Sequence, residues 1–359
     1  MSDPVVVHVV GTGTIGEPLI GMLARFGKEL GVDEVSFHKR TPLTTDRSKV
    51  RALMNKGARL AVDEDRRNDF IKLGMKPSLE AREAIERAAV VIDCTPVGNK
   101  MKDDVYSSIG GNVKGFIAQG SEFGFGKQYA KGINDSALKH GEDKFIQVVS
   151  CNTHNISVLI NTIAYHGGKK TDNLIDGRFL CIRRSSDISQ DDSFVPAPMA
   201  DKHGDEQFGT HHARDAYHLF GTLGIKPNVF SSALKLNTQY MHAIHFSLKL
   251  KEDVDKKAVL DRLESNHHIA LTDKRSTNSV FSFGRDHGIF GRILSQTVLS
   301  VPTLTVRHTS EGSEVVGFCF TPQDGNSLVS SIAAALWFID PETYKEKLKV
   351  FDPYMFSEV

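Results

Sequence analysis

Residues 5–16 read Val-Val-Val-His-Val-Val-Gly-Thr-Gly-Thr-Ile-Gly. The first six are mostly β-branched, a composition typical of a parallel strand that is buried on both faces. Apolar residues recur at helical spacing from Glu17 to Leu30, and Glu34 to His38 reads as a second strand. The order strand, glycine-rich turn, helix, strand predicts the start of a doubly wound parallel sheet.

Further patterns of the same kind extend this sheet. Short apolar strands are predicted at residues 89–94, 115–119 and 145–150, and helices at residues 46–61 and 78–88. Strands that alternate with helices in this way are typical of α/β domains whose parallel sheet is covered on both faces.

The pattern changes from Cys151 onwards, where strands are longer, alternate in polarity and are separated by helices and loops. We expect a Rossmann domain over residues 1–150, joined by a C-terminal helical stretch at 326–359, and an α+β domain with a mostly antiparallel sheet over residues 151–325. The predicted elements of the second domain are helices at 152–165 and 256–265, a long polar loop at 185–215, and strands at 177–184, 240–250, 303–308 and 314–320.

Composition excludes several classes of function. The 359 residues include 44 Lys plus Arg and 44 Asp plus Glu, so no overall field would hold the protein to nucleic acid or to an anionic membrane. The four cysteines form no close pairs, which argues against a disulfide scaffold or a zinc site and for a reducing compartment. No leader pattern is seen at residues 1–10, and the apolar run at 331–339 is too short to span a bilayer. We therefore expect a soluble, cytoplasmic protein.

The glycine spacing indicates a dinucleotide site, because Gly-x-Gly-x-x-Gly lies here between a strand and a helix. Gly11 permits the tight turn, Gly13 lets the backbone approach a pyrophosphate, and Gly16 lets helix and strand pack closely. The helix N-terminus offers unpaired N–H groups to the phosphates. A purely structural turn is the alternative. The expected cofactor contacts are Gly11, Gly13, Thr14, Ile15 and Gly16, together with Gly120.

The end of the second strand bears on the choice of cofactor. An NAD site usually places a carboxylate there to bind the ribose 2′-hydroxyl. Residues 36–41 read Ser-Phe-His-Lys-Arg-Thr and contain none. Lys39, Arg40 and Thr41 can instead hold a 2′-phosphate, which favours NADP. A solvated basic turn compatible with NAD is the alternative.

Cys151 lies where a predicted strand meets a predicted helix. A thiol at a helix N-terminus feels the positive end of the helix dipole, which lowers its pKa and favours the thiolate. The residue alone does not decide the matter, since most single cysteines are small buried hydrophobes.

Six motifs together resemble one family, the archaeal or type II glyceraldehyde-3-phosphate dehydrogenases. The resemblance covers most of the chain in the same order and implies a Rossmann domain, a catalytic domain, NADP or NAD as cofactor, commonly a homotetramer, and a role in glycolysis or gluconeogenesis. The motifs are V-V-G-T-G-T-I-G at 9–16, D-C-T-P-V-G at 93–98, V-V-S-C-N-T at 148–153, I-R-R at 182–184, T-H-H at 210–212 and Y-M-H at 240–242.

The chemistry that this resemblance implies begins with attack of the Cys151 thiolate on an aldehyde. Hydride then passes to the nicotinamide, and inorganic phosphate releases the thioester as an acyl phosphate, or the sequence runs backwards. His242 is implied as the general base, and Gln323 is implied close to the nicotinamide. The implied substrate and phosphate contacts are Asn152, Thr153, Arg183, Arg184, His211 and His212.

Strand alternation supports His242 independently. On a strand from Tyr240 to Leu250, His242 shares a face with Ile244 and other apolar residues, whereas His245 shares the polar face. His242 is therefore expected to point inwards; the alternative is a core histidine without a catalytic role.

The other charged candidates also have less specific interpretations. Alternation sends Arg183 and Arg184 to opposite faces, so at most one should serve the site directly, and a surface ion pair is the alternative. A metal cluster is disfavoured because the spacing matches no standard zinc pattern; its members would be His203, His211, His212 and His218.

The chain departs from the family's usual S-C-N-T-T-G run and the arginine that follows it. Here His154 and Asn155 follow the motif, and Val158 occupies the arginine position. These changes bear on phosphate binding, so two alternatives stay open beside glyceraldehyde 3-phosphate as the substrate. One is a related enzyme that acts on a different phosphorylated aldehyde or acyl phosphate, such as a semialdehyde dehydrogenase. The other is a catalytically silent nucleotide-binding sensor.

Overall fold

The computed structural model describes residues 4–120, 122–187, 194–322 and 324–359, so Gln323 lies outside the described residues. The chain forms two compact units. The first contains residues 1–127, 138–148 and 328–352, and the second contains residues 128–137, 149–327 and 353–359. The chain thus passes between the units more often than a single division at Ser150 implies.

The first unit is built on the sheet whose strand order is β4-β3-β2-β1-β5-β6-β8-β7, and all pairs from β4 to β8 are parallel. The strands are β1 (Val6–Val10), β2 (Glu34–His38), β3 (Arg59–Val62), β4 (Leu79–Glu80), β5 (Val90–Asp93), β6 (Gly115–Gln119), β7 (Lys127–Tyr129) and β8 (Phe145–Val148). The helices between them are α1 (Gly16–Leu30), α2 (Arg47–Asn55), α3 (Arg67–Lys72), α4 (Ala81–Glu86) and α5 (Gly98–Asp104). The predicted doubly wound α/β sheet is confirmed.

Strand β1 is buried along its whole length, as its β-branched composition predicts. Each fully buried valine contributes roughly 1.5–3 kcal/mol relative to exposure. The polar exception, His8, pairs its Nδ1 with the Ser36 hydroxyl on the neighbouring strand at 2.8 Å. Burial, and then the nearby His38, lowers the pKa of His8 to about 3. The ring is therefore neutral and tolerated in the sheet core.

One predicted helix was too long. The helical pattern at 46–61 ends at Asn55, and Gly57 takes a φ of +97°, which glycine adopts without a steric penalty. Its N–H bonds to the carbonyl of Met54 and closes the helix. Residues 59–62 then form β3 and pair with β2, because their apolar side chains are buried against the sheet.

The second unit contains a mixed, mainly antiparallel sheet of order β10-β11-β9-β12-β16-β14-β13, with β15 paired to β16. This matches the predicted α+β domain. The strands are β9 (Leu174–Arg183), β10 (Met199–Ala200), β11 (Val229–Lys235), β12 (Ala243–Leu250), β13 (Ile269–Thr272), β14 (Thr297–Ser300), β15 (Thr305–Thr309) and β16 (Gly312–Phe320). The helices are α6 (Cys151–Leu159), which continues as a π-helical turn (Ile160–Ala164), α7 (His211–Gly221), α8 (Lys256–Glu264) and α9 (Thr277–His287).

The region predicted as a loop at 185–215, whose residues 188–193 are outside the described part, contains strand β10 and the first five residues of α7. The helical stretch predicted at 326–359 consists of α10 (Gly325–Ile339), α11 (Tyr344–Lys347) and a 3-10 segment (Leu348–Tyr354). No helix among the described residues combines the length and apolar character needed to cross a bilayer.

Candidate active site

Cys151 is the first residue of α6, directly after the strand–helix junction that the sequence predicts. Ser150 caps the helix, because its hydroxyl accepts from the backbone N–H of Thr153 at 3.3 Å and also bonds to the Thr153 hydroxyl at 2.9 Å. The carbonyl of Cys151 accepts from Nδ2 of Asn326 at 3.1 Å. The Ser150 cap and the Asn326 hydrogen bond therefore fix the first turn of α6, which contains Cys151.

The predicted lowering of the pKa of Cys151 is wrong. Burial raises the pKa of the thiol to about 12, and the carboxylates of Asp324 and Asp187 act in the same direction, whereas the guanidinium of Arg184 lowers it. A helix terminus is worth about 0.3–1 kcal/mol to a nearby charge. Burial can shift a pKa by up to about 3–5 units, at about 1.36 kcal/mol each, so desolvation outweighs the dipole here.

Arg183 and Arg184 separate as strand alternation predicts. The Arg184 side chain is only 4% exposed, and its Nη2 lies 2.9 Å from Asp187 and 3.7 Å from Asp324. Asp324 is buried and adopts a φ of +57°, a left-handed conformation that Asp tolerates better than most residues. The carboxylates of Asp187 and Asp324 already pair with the guanidinium of Arg184, so this side chain is not available to bind an anion.

His242 lies immediately before β12, and the residues that share its face are buried as predicted. Its Nδ1 accepts a hydrogen bond from the backbone N–H of Arg184 at 3.0 Å. Burial, and then the charges of Arg184 and Arg183, lowers the pKa of His242 well below its usual value. The neutral ring must therefore carry its hydrogen on Nε2, since an acceptor Nδ1 has none.

The histidine pair at the start of α7 lies beside the residues that flank Cys151. His212 is buried, and its Nδ1 is 3.5 Å from the Ser150 hydroxyl while its Nε2 is 3.4 Å from Nδ2 of Asn152. The rings of His211 and His212 are 3.9 Å apart. Burial and the charge of Arg183 lower the pKa of His211 to about 4, so it is neutral at pH 7.

A cavity of about 360 Å³ lies in front of this pair. Arg183 is 36% exposed there, with its Nη1 2.9 Å from Asp201. Three cationic side chains against two carboxylates give the lining a positive excess, which suits an anion. The lining includes Arg183, Lys202, Arg214, His211, Asp201 and Asp205.

The residues that depart from the family pattern point into the protein. His154 is fully buried, with its Nδ1 3.0 Å from the Ser150 carbonyl, and burial lowers its pKa to about 4. Asn155 is also fully buried and bonds to Thr321. Val158 is part of the hydrophobic core. Val158, which occupies the position of the expected arginine, therefore stabilises α6 and does not line the cavity.

In the first unit, the glycine-rich turn has the geometry of a nucleotide cradle. Gly11 has a φ of +93°, and a Cβ at Gly16 would lie 2.1 Å from the Gly11 carbonyl, so both positions require glycine. A Cβ at Gly13 would meet nothing within 4 Å, so the space over this turn is open. Ile15 provides no side-chain cap to α1. These features fit a bound pyrophosphate.

The basic residues after β2 are not equivalent. Lys39 forms an ion pair with Asp46 at 2.6 Å, which corrects the expectation that both cations are available to a phosphate. Arg40 and Thr41 line a cavity of about 420 Å³, together with Arg66 and with Asp63 and Asp65. Gly120, after β6, has a φ of +69° and open space where a Cβ would lie.

Several residues of these sites were missed by sequence reasoning. Asp324, Asn326 and Thr321 follow β16, and nothing in their spacing marks them, because tertiary packing alone brings them to α6. The described residues contain no group of His, Cys, Asp or Glu side chains arranged to hold a metal ion.

Comparison with known proteins agrees with the predicted family resemblance and fold class. No protein-family profile matches the chain. The chain is 28% identical to the glyceraldehyde-3-phosphate dehydrogenase of Aeropyrum pernix over 302 residues, which cover 79% of each protein. It is 26% identical to that of Methanobacterium formicicum (74% of this chain, 73% of the relative) and 27% identical to that of Metallosphaera sedula (72% of each).

The resemblance inferred from the motifs is confirmed: the chain is similar to archaeal glyceraldehyde-3-phosphate dehydrogenases over most of its length. A parallel Rossmann-type sheet, an α+β unit and this likeness together define an oxidoreductase of the glyceraldehyde-3-phosphate dehydrogenase-like kind.

The charges around Cys151 lead to a first prediction. Asp324→Asn removes a carboxylate that raises the pKa of Cys151, so the thiolate should form at lower pH. The rate of Cys151 alkylation by iodoacetamide, followed by peptide mass spectrometry, should rise at pH 8, and the pH profile should shift downwards. Asp201→Asn, which alters the ion pair of Arg183, is the matched control and should change the rate much less. An unchanged or slower rate in Asp324→Asn would contradict this account.

Proposed function

We propose that the chain is a phosphorylating, nicotinamide-dependent aldehyde dehydrogenase, with glyceraldehyde 3-phosphate as its leading substrate. The observation that carries the proposal is the position of Cys151. It is the first residue of a capped helix, and His212 contacts the residues on both sides of it. An anion-suited cavity is lined by that same histidine. Similarity to dehydrogenases of this name supports the substrate class. A cytoplasmic homo-oligomer, commonly a tetramer, is part of the proposal and follows only from the family that the motifs resemble.

In the proposed reaction, the Cys151 thiolate attacks the aldehyde carbon and forms a thiohemiacetal oxyanion. A nicotinamide cofactor, when bound, would supply the hydride acceptor, and loss of hydride from that carbon would leave a thioester. Inorganic phosphate then attacks the thioester and releases an acyl phosphate, which regenerates the thiolate. Because burial disfavours the thiolate, the guanidinium of Arg184 is the group that assists its formation.

His242 is proposed to act on the substrate oxygen. Its Nδ1 is occupied by the Arg184 N–H, so the ring is set to donate from Nε2 towards the developing oxyanion. Abstraction of a proton by Nε2 would require the ring hydrogen to move to Nδ1 and the Arg184 contact to break. The geometry therefore supports donation in the aldehyde complex more than the general-base role that the resemblance implies.

The substrate and the incoming phosphate would be held at the α7 end of the site. Arg183 presents a half-exposed guanidinium beside His211, and both line the cavity, whereas Asn152 and Thr153 lie on α6 next to the thiol. Guanidinium groups bind phosphate oxygens through paired, charge-assisted hydrogen bonds.

A related enzyme for another phosphorylated aldehyde is the second candidate, and one observation favours it. Val158 and Asn155 are buried where an arginine and a glycine are expected by resemblance. The cavity's cations come instead from the end of β9, from the segment after β10 and from α7. A cavity lined in this way need not fit glyceraldehyde 3-phosphate best.

The cofactor is proposed to be NADP, with NAD as the alternative. Gly11, Gly13 and Gly16, with Thr14 and Ile15, would hold the pyrophosphate. Arg40 and Thr41 would face the ribose 2′-phosphate. Arg66 lines the same cavity but pairs with Asp65 at 3.4 Å, so it would contribute less. Lys39 would contribute less, since Asp46 already neutralises its charge.

The catalytic assignment predicts different effects for two substitutions. Cys151→Ser should abolish dehydrogenase activity but leave cofactor binding intact, because a hydroxyl is a far weaker nucleophile at neutral pH. His242→Asn should lower kcat by roughly 10²–10⁴, with KM changed much less, as expected when only a transition-state interaction is lost. Steady-state kinetics measure both effects, and His245→Asn on the other face of β12 is the control. A His242→Asn enzyme that melts early but turns over normally would remove His242 from the mechanism.

The cofactor assignment predicts an order of effects. Arg40→Ala should weaken NADP much more than NAD, because only NADP carries the 2′-phosphate. Lys39→Ala should have a smaller effect on NADP, since its ammonium group is held by Asp46. Dissociation constants from calorimetric titration decide the order. Equal losses of NADP and NAD affinity in Arg40→Ala would mean that this arginine only stabilises the turn.

A further inference from the structure

A continuous row of buried polar side chains runs beneath the N-terminus of α6. Sγ of Cys319 lies 3.5 Å from Oδ1 of Asn155, whose Nδ2 lies 2.6 Å from the Thr321 hydroxyl. That hydroxyl is 3.1 Å from Oδ1 of Asn152, and Nδ2 of Asn152 is 3.4 Å from Nε2 of His212. All five side chains belong to residues that are at most 4% exposed. Protein groups must therefore satisfy one another here.

The hydrogens available to these groups set a single direction for the row. Burial raises the pKa of Cys319 to about 12, so its sulfur keeps a hydrogen to donate to Oδ1 of Asn155. The amide of Asn155 then donates to the Thr321 oxygen. Thr321 has one hydroxyl hydrogen, and Oδ1 of Asn152 accepts it. With its oxygen so used, Asn152 turns its NH₂ group towards His212.

The same count of donors and acceptors disfavours the reverse orientation of the Asn152 side-chain amide. If its NH₂ faced Thr321, that oxygen would receive two N–H donors. The hydroxyl hydrogen of Thr321 would then lose the acceptor that it has among the described residues. A buried donor left without an acceptor costs the full desolvation of that group.

His212 is the end of the row, and its protonation follows. Because Nε2 accepts from Asn152, the neutral ring carries its hydrogen on Nδ1, which faces the Ser150 hydroxyl. Ser150 caps α6 through the N–H of Thr153. The same ring therefore contacts the residue before Cys151 as a donor and the residue after it as an acceptor.

We infer that Asn155 is a positioning residue: acting through Thr321 and Asn152, it fixes His212 as the Nδ1–H tautomer and thereby orients the side chains of Ser150 and Asn152, which flank Cys151. Thr321 extends the effect, since its backbone N–H also bonds to the carbonyl of His242 at 2.9 Å. The expected effect on turnover rests on the proposed function. The expected tautomer of His212 does not depend on it.

The test uses the whole protein with ¹⁵N-labelled histidine and magic-angle-spinning NMR, in which protonated and bare ring nitrogens have distinct shifts. His212→Gln identifies the His212 signals. The wild type should show a protonated Nδ1 and a bare Nε2. Thr321→Val and Asn155→Leu remove the hydroxyl and the amide at similar volume, so each should give the Nε2–H form or a mixture. Thr321→Ser keeps the hydroxyl and should restore the wild-type pattern.

Turnover provides the second readout. Loss of a partner that orients an active-site group typically costs about 10–100-fold, so kcat should fall by about tenfold in Thr321→Val with KM little changed. Leu159→Ala, also on α6 and fully buried, is the control for loss of stability. It should lower the melting temperature but leave the His212 tautomer unchanged.

Two results would overturn the inference: a wild-type His212 with its hydrogen on Nε2, or the same tautomer in the wild type and in Thr321→Val. A wild type with the expected tautomer but no dehydrogenase activity would instead refute the proposed function and support the positioning role.

Discussion

The arrangement of the second unit's site depends on how the N-terminus of α6 is held. Ser150 caps the helix, Asn326 binds the carbonyl of Cys151, and His212 contacts the residues on both sides of the thiol. These groups come from segments far apart in the chain, so each must be in place before the thiol is positioned. A nucleophile placed in this way is pre-organised, and pre-organisation is a large part of what a catalytic site contributes.

Placement and reactivity make opposite demands on Cys151. The surroundings that hold the partly buried Cys151 also raise the pKa of its thiol, and the buried carboxylate of Asp324 acts in the same direction. The guanidinium of Arg184 lowers the pKa of Cys151 and so opposes both effects. It also forms ion pairs with Asp187 and Asp324. Burial and the Asp324 carboxylate favour the protonated thiol. A bound anion or a change in the Arg184 ion pairs would alter the balance, because these charges lie within a poorly solvated region.

Sequence patterns predicted those features that depend on local periodicity. The buried strand β1, the glycine turn with Gly11 and Gly16, and the alternation along β12 all follow from the spacing of apolar residues and glycines. The ion pair between Lys39 and Asp46 could not be predicted, because either cation of the turn could have met the carboxylate. The hydrogen bond from the Thr321 hydroxyl to Asn152 on α6 could not be predicted either, because only packing of the sheet brings the two residues together.

Cys151 is proposed to be the nucleophile of a phosphorylating aldehyde dehydrogenase. The most direct measurement follows absorbance of the reduced nicotinamide band with a panel of phosphorylated and unphosphorylated aldehydes, with and without inorganic phosphate. We expect reduction of NADP with a phosphorylated aldehyde such as glyceraldehyde 3-phosphate, dependence of sustained turnover on phosphate, and loss of both in Cys151→Ser. Turnover that persists in Cys151→Ser, or no reduction of either cofactor with any aldehyde, would refute this role of Cys151.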